Sequence, residues 1–163
     1  MNNKTRQVVF GGIIGALYAV MTILFAPISY SQVQVRIAEA LTVLPFFSPY
    51  AVWGLFIGCI VSNLAGGLGI IDIVFGSLAT LIAALITYYI GKSNIKFKTY
   101  LAPLPAVLVN AVIVAFVLKY TIQVPLFITM LWVALGESAA CYILGLPLLL
   151  FIEKNKKIKS FLA

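Results

Sequence analysis

The chain alternates long apolar runs with short polar gaps, and most of the runs have the length of membrane spans. A helix needs about 20 apolar residues to cross a bilayer. Val8–Pro27, Ile71–Ile90, Leu101–Tyr120 and Leu126–Ile152 meet that requirement. The stretch Ile37–Ala65 reads either as one long helix or as two short ones. Two prolines in Pro45-Phe46-Phe47-Ser48-Pro49 favour a break, because proline removes a backbone donor and keeps the preceding residue out of helical conformation. The predicted architecture is all-α: an integral membrane bundle of six transmembrane helices, the second of them short, in a single domain over residues 1–163.

Composition fits this reading. Hydrophobic residues make up 63% of the chain and charged residues 9%, with a mean hydropathy of +1.14. A soluble core cannot hide that much apolar surface. The net charge of +7 would suit nucleic acid, but the basic residues sit in the gaps rather than on an aromatic-interleaved surface. With six spans, Lys4, Arg6, Lys92, Lys96, Lys98, Lys154, Lys156, Lys157 and Lys159 share one side, and only Arg36 and Lys119 lie on the other. Five spans segregate them less well. The asymmetry predicts a cell-membrane protein with both termini cytoplasmic. Cys59 and Cys141 fall within apolar runs and read as packing residues. There is no histidine, and neither a nucleophile motif nor an ATP site is visible. No cofactor, no metal and no catalytic residue are expected.

Three of the four carboxylates change the picture. Glu39, Asp72 and Glu137 lie within or at the edges of apolar runs, where a charge costs roughly 2.5–3.5 kcal/mol or more at the bilayer centre. The predicted topology sets Glu39, Asp72 and Asn63 at an outer level. Glu137 lies about 11 residues into the last helix, roughly 16 Å deep at 1.5 Å per residue, where Asn110 of the preceding helix can meet it. The pattern is an outward-facing polar pocket with a floor. Each residue also has a structural alternative. Arg36 and Glu39, three apart, can pair on one helical face. Asp72 can serve the N-terminus of its own helix. Glu137 can be tied to Asn110 or Lys119. Trp132 is offset from Glu137 by roughly 140° around the helix, so it either borders the pocket or packs against lipid. The run from Asn63 to Asp72 is a glycine-rich turn without the Lys-Ser/Thr of a phosphate loop.

The first helix carries small residues in overlapping register: Gly11-xxx-Gly15-xxx-Ala19 and Gly12-xxx-Ala16. Such stripes let another helix approach closely. That helix belongs either to this chain or to a separate membrane subunit. Gly54-xxx-Gly58 reads as internal packing.

The stretches QVRIAEALTVLPFF, PYAVWGLFIGCIVSNL and, from Asp72, DIVFGSLATLIAAL resemble the queuosine-precursor transporter family, the QueT-type substrate-binding (S) components of energy-coupling-factor transporters. The similarity extends over nearly the whole chain. The first-helix stripe resembles the Ala-xxx-Ala coupling motif of S components but departs from it, with glycine at several positions. The resemblance implies a six-helix transport subunit, not an enzyme. It implies a solute bound from outside and docking onto a shared transmembrane (T) subunit that two cytoplasmic ATPase subunits power. The implied solute is a 7-deazaguanine such as preQ1 or queuine, read by Glu39, Glu137, Asp72, Asn63, Asn110, Arg36 and Trp132. Gly11, Gly12, Gly15, Ala16 and Ala19 would form the coupling interface. The alternatives are an S component for another vitamin-like solute and a solitary proton-driven carrier in which Glu137 titrates.

Overall fold

A computed structural model describes residues 3–31 and 34–162; Gln32 and Val33, between the first and second predicted helices, lie outside the described residues. The described chain is all-helical. Five helices are long and apolar enough to cross a membrane: Lys4–Leu24, Pro49–Gly66, Asp72–Lys92, Lys98–Ile122 and Leu126–Lys154. They are called here the first, third, fourth, fifth and sixth helices. The second is the 3-10 helix Ile37–Phe46.

The prolines act as the sequence predicts. The 3-10 helix contains Pro45 and ends at Phe46. Ser48 is extended (φ −144°, ψ 131°), and Pro49 opens the third helix, a position where its missing N–H is no loss. At about 2.0 Å per residue, ten residues of 3-10 helix reach about 20 Å. This segment is the core of the bundle. Ala38, Glu39, Ala40, Thr42, Val43, Leu44, Pro45 and Phe46 are all buried and only Ile37 and Leu41 are half-buried, so most of this helix faces protein and can carry polar residues.

The first and third helices run parallel. The α-carbon of Gly11 faces Tyr50 and that of Gly15 faces Gly54, while Gly54 and Gly58 in turn meet the carbonyls of Gly11 and Gly15. Positions on both helices rise together, so the segment between them carries the chain back. The 3-10 helix follows the fourth helix: at one end Arg36 meets Asp72, and at the other the Phe46 carbonyl packs against Gly91. The third and fourth helices join through a turn at Gly67 (φ 72°) and Gly69 (φ 92°), conformations that cost glycine nothing. Lys98 closes the end of the fourth helix, donating to the carbonyls of Gly91 at 2.9 Å and Ser93 at 3.0 Å. The fifth helix ends on Gln123 in left-handed conformation (φ 57°) and leads into the sixth.

Apolar side chains such as Val8, Ile13, Val20, Ile57, Phe116, Leu131 and Ile143 point outward. That inside-out distribution is what lipid tolerates, provided backbone polar groups are satisfied within the helices. Two of the five long helices depart from α geometry: a π turn at Asp72–Gly76 opens the fourth, and another at Ala139–Gly145 interrupts the sixth.

Candidate functional site

The polar residues of the bundle converge around the outer half of the 3-10 helix. Arg36 precedes its first turn in an extended conformation (φ −90°, ψ 98°). This turns its side chain toward the fourth helix, where Nη2 lies 4.0 Å from Asp72 Oδ1, with the two side chains 2% and 0% exposed. The guanidinium also lies 5.7 Å from the centroid of the Tyr30 ring. Tyr30 in turn donates to the Ser62 carbonyl at 2.5 Å. Burial pushes its phenol above the ordinary value, so it remains a neutral donor. Its ring packs directly against Gly66, where a Cβ would clash with it.

One turn further in, Tyr18 of the first helix donates to Glu39 Oε1. The Tyr18 oxygen also lies 3.7 Å from Cys59 Sγ. Glu137 of the sixth helix accepts from Asn110 Nδ2 at 3.0 Å. Cys141 lies between the second helix and Glu137: its Sγ is 3.6 Å from the backbone carbonyl of Glu39 and 3.8 Å from Glu137 Oε2. Asn63 donates to the Asp72 carbonyl at 3.2 Å. A glycine at 76 is required beside this contact, since a Cβ there would come 2.8 Å from Asn63 Nδ2 and 3.2 Å from Asp72 Oδ1.

Several predicted residues therefore come together: Arg36, Glu39, Asn63, Asp72, Asn110 and Glu137, all 2% exposed or less. Three details differ from the sequence reading. Arg36 pairs with Asp72 rather than with Glu39, because it lies outside the helix that would align the two. Asp72 does not cap its own helix: the preceding Ile71 is already helical (φ −64°, ψ −44°) and no side-chain cap bond forms. Glu39 sits beside Tyr18 and Cys141, deeper than an outer rim. Trp132 does not join the cluster at all. It is 47% exposed, and its position around the sixth helix turns it outward while Glu137 turns in.

Sequence reasoning passed over Tyr18 and Gln34 and read Cys59 and Cys141 as packing residues only. Tyr18 is completely buried, and its signal is a lone phenol midway along an apolar helix. Gln34 is 1% exposed and holds a left-handed backbone (φ 47°), which a non-glycine residue adopts uncommonly. Many buried polar atoms of the cluster have no hydrogen-bond partner in the protein: both side-chain ends of Gln34, Arg36 Nε and Nη2, Glu39 Oε2, Asn63 Oδ1, Asp72 Oδ1 and Oδ2, and Asn110 Oδ1. Buried polar groups are nearly always paired, so this concentration makes the cluster the candidate functional site. Among the described residues, no group of His, Cys, Asp and Glu could hold a metal ion.

The predicted stripe on the first helix divides. Gly11 and Gly15 are buried against the third helix, where a Cβ on either would come 2.7 Å from a carbonyl oxygen of Tyr50 or Gly54. Gly12 meets nothing within 4 Å, and Ala16 is exposed. Together with Ala19, Trp53, Ile57 and Val61 they line an apolar groove of about 490 Å³ on the outer surface of the helix pair.

A lipid-facing helical bundle that encloses a sealed polar cluster is the build of a multi-pass membrane transporter, since intramembrane ionisable residues mark solute or ion pathways. Residues 8–154 match the family model described as QueT transporter, and the chain belongs to that family. It is 27% identical over 154 residues to the Queuosine precursor transporter QueT of Lactococcus lactis subsp. cremoris (strain MG1363), an alignment covering 86% of this chain and 89% of the relative. No solved structure matches it.

Proposed function

We propose that this chain is the substrate-binding component of an energy-coupling-factor transporter and takes up a queuosine precursor, a 7-deazaguanine such as preQ1 or queuine. The observation that carries this reading is the buried set of unpaired donors and acceptors around Arg36, Glu39, Asp72 and Asn110. A guanine-like edge offers N1–H and an exocyclic amine, which one carboxylate can accept together, and charged acceptors bind such donors strongly. Arg36 Nε and Nη2 are free to donate to the ring carbonyl. The relative's name carries the same solute class.

The parallel packing of the first and third helices supports six crossings, with the 3-10 helix as the short second one. The segregation of the lysines supports cytoplasmic termini. The site then opens to the outside, because Arg36, Asp72 and the Gly67–Gly69 turn lie at the end away from the lysine-rich gap between the fourth and fifth helices. The apolar groove over Gly12 and Ala16 suits a helix of the T subunit, with two ATPase subunits supplying the energy.

The test is direct. Mass spectrometry of solute carried through purification should find a deazaguanine. Glu39→Gln and Glu137→Gln should each weaken its binding, and unchanged affinity in both would remove this site from the reading. Ala16→Trp should block uptake in cells while leaving binding by the purified protein intact; surviving uptake would dismiss the groove as a docking surface.

A further inference from the structure

Among the described residues, the buried charges inside the bundle are Arg36, Glu39, Asp72 and Glu137. Arg36 lies 4.0 Å from Asp72, so this single cation stands against three carboxylates. Glu39 and Glu137 are neighbours. Cys141 Sγ lies 3.8 Å from Glu137 Oε2 and 3.6 Å from the backbone carbonyl of Glu39. Asn110, which donates to Glu137 at 3.0 Å, also faces Glu39. Two carboxylates sharing a dry site cannot both be ionised without a positive charge between them.

The one cation that faces the pair among the described residues, Arg36, is shared with Asp72, and its single charge cannot offset both acids. The titratable or charged groups facing the pair are Tyr18 from the first helix, Arg36 from the start of the 3-10 helix and Cys141 from the sixth. Cys59 of the third helix stands behind Tyr18, Asp72 of the fourth stands behind Arg36, and the fifth contributes neutral Asn110. Two acceptor atoms at the pair, Glu39 Oε2 and Asn110 Oδ1, are buried and unpartnered. A point cation with several N–H groups is what they would satisfy.

We infer that the Glu39–Glu137 pair, linked by Asn110, is a subsite for a ligand ammonium group and holds a single proton when no ammonium is bound. This rests on the solute-binding reading above and adds the charge that the solute must carry. Binding is an exchange: ammonium N–H groups donate to Glu39 Oε2 and Glu137, and the proton held by the pair leaves to water. The pair thereby selects a deazaguanine with a protonated aminomethyl arm over one with a neutral group of similar size.

Isothermal titration of the purified full chain with 7-aminomethyl-7-deazaguanine and 7-cyano-7-deazaguanine, each in two buffers of different ionisation enthalpy, tests this. The amine should bind about 100-fold tighter or more, because a site built for a polar group rejects its analogue strongly. Its binding should release about one proton, and its affinity should rise about tenfold per pH unit while the free pair holds that proton. The nitrile should release none. Equal affinities without proton release overturn the inference and leave the solute-binding reading standing, whereas binding of neither compound overturns both. In Glu137→Gln the proton release should vanish and the preference for the amine should narrow. Full proton release in that variant would place the proton elsewhere and refute the subsite.

Discussion

Replacing Gly54 with alanine tests how the first and third helices are held together. A Cβ at Gly54 would collide with the carbonyl oxygen of Gly11, and one at Gly15 would come 2.7 Å from the carbonyl oxygen of Gly54, whereas ordinary Cβ contacts begin at 3.4 Å. Both neighbours are backbone, so no side chain can swing away. At the Gly15 spacing the helices would have to separate by about 0.7 Å and at Gly54 by more, which puts Gly54→Ala in the upper part of the about 1–3 kcal/mol that forced overpacking costs. A gap of that size forfeits about a quarter to a half of the dispersion attraction between facing atoms all along the seam of Gly11, Gly15, Gly54 and Gly58. Alanine's better helix propensity returns only about 0.5–1 kcal/mol. Gly54→Ala should therefore lower the melting temperature of the detergent-solubilised protein by about 2–10 °C, at about 2–4 °C per kcal/mol for a chain of this size. Gly12→Ala is the control: its Cβ meets nothing within 4 Å, so the propensity gain stands alone and the protein should melt at or slightly above the wild-type temperature. If Gly54→Ala melts no lower than wild type, or if Gly12→Ala loses as much as Gly54→Ala, the glycine seam is not what joins these helices.

Other substitutions probe the polar cluster. Tyr18→Phe removes the donor to Glu39 Oε1 and leaves a buried acceptor unpaired, a loss of about 1–3 kcal/mol; both thermal stability and deazaguanine affinity should fall, and no change in either would show that Tyr18 does not orient the carboxylate. Arg36→Met strands Asp72, both of whose carboxylate oxygens already lack hydrogen bonds, and should cost about 3–5 kcal/mol. Adding Asp72→Leu should recover much of that loss in a thermal double-mutant cycle, and a double variant no more stable than Arg36→Met would contradict the pairing. Trp132→Ala removes an outward-facing ring and should change solute affinity by no more than about twofold, the range of surface substitutions; a much larger loss in a binding titration would return Trp132 to the site.

What could be read from sequence was what depends on local pattern. The apolar runs located the five long helices, Pro45 and Pro49 located the break between the second and third, and depth along the helices paired Asn110 with Glu137. What escaped depends on geometry that hydropathy does not encode. Arg36 and Glu39 have helical spacing, but the chain is still extended at Arg36, so the guanidinium reaches a different helix. The small-residue stripe offered two faces with one composition. Gly11 and Gly15 lie four apart on the face turned to the third helix, and Gly12 and Ala16, about 100° further round, face out. Tyr18 gave no pattern because its partner is 21 residues away.

The departures from α geometry sort the cluster into residues that serve the backbone and residues left for a ligand. All three irregular stretches meet at the site: the 3-10 helix holds Glu39, one π turn holds Asp72 and the other holds Cys141. A ten-residue 3-10 run is long for that helix type, and π turns recur at functional sites. Within a membrane, each irregular backbone group still needs a partner. The Glu39 carbonyl receives the Thr42 hydroxyl at 2.6 Å and approaches Cys141 Sγ at 3.6 Å. The Asp72 carbonyl receives Asn63. The Gly76 carbonyl lies 3.3 Å from the Thr80 hydroxyl and 3.8 Å from Cys59 Sγ. Thr42, Asn63, Thr80 and both cysteines are thus largely engaged in satisfying the backbone that these turns expose, and Asn63 keeps only its oxygen for anything else. The groups still free are Gln34, Arg36, Glu39 Oε2, Asp72 and the oxygen of Asn110. Four of these five lie on the extended approach to the 3-10 helix, on that helix itself or on the adjoining π turn. The proposed recognition therefore rests on the short second helix and its neighbours, a segment with eight of its ten residues buried.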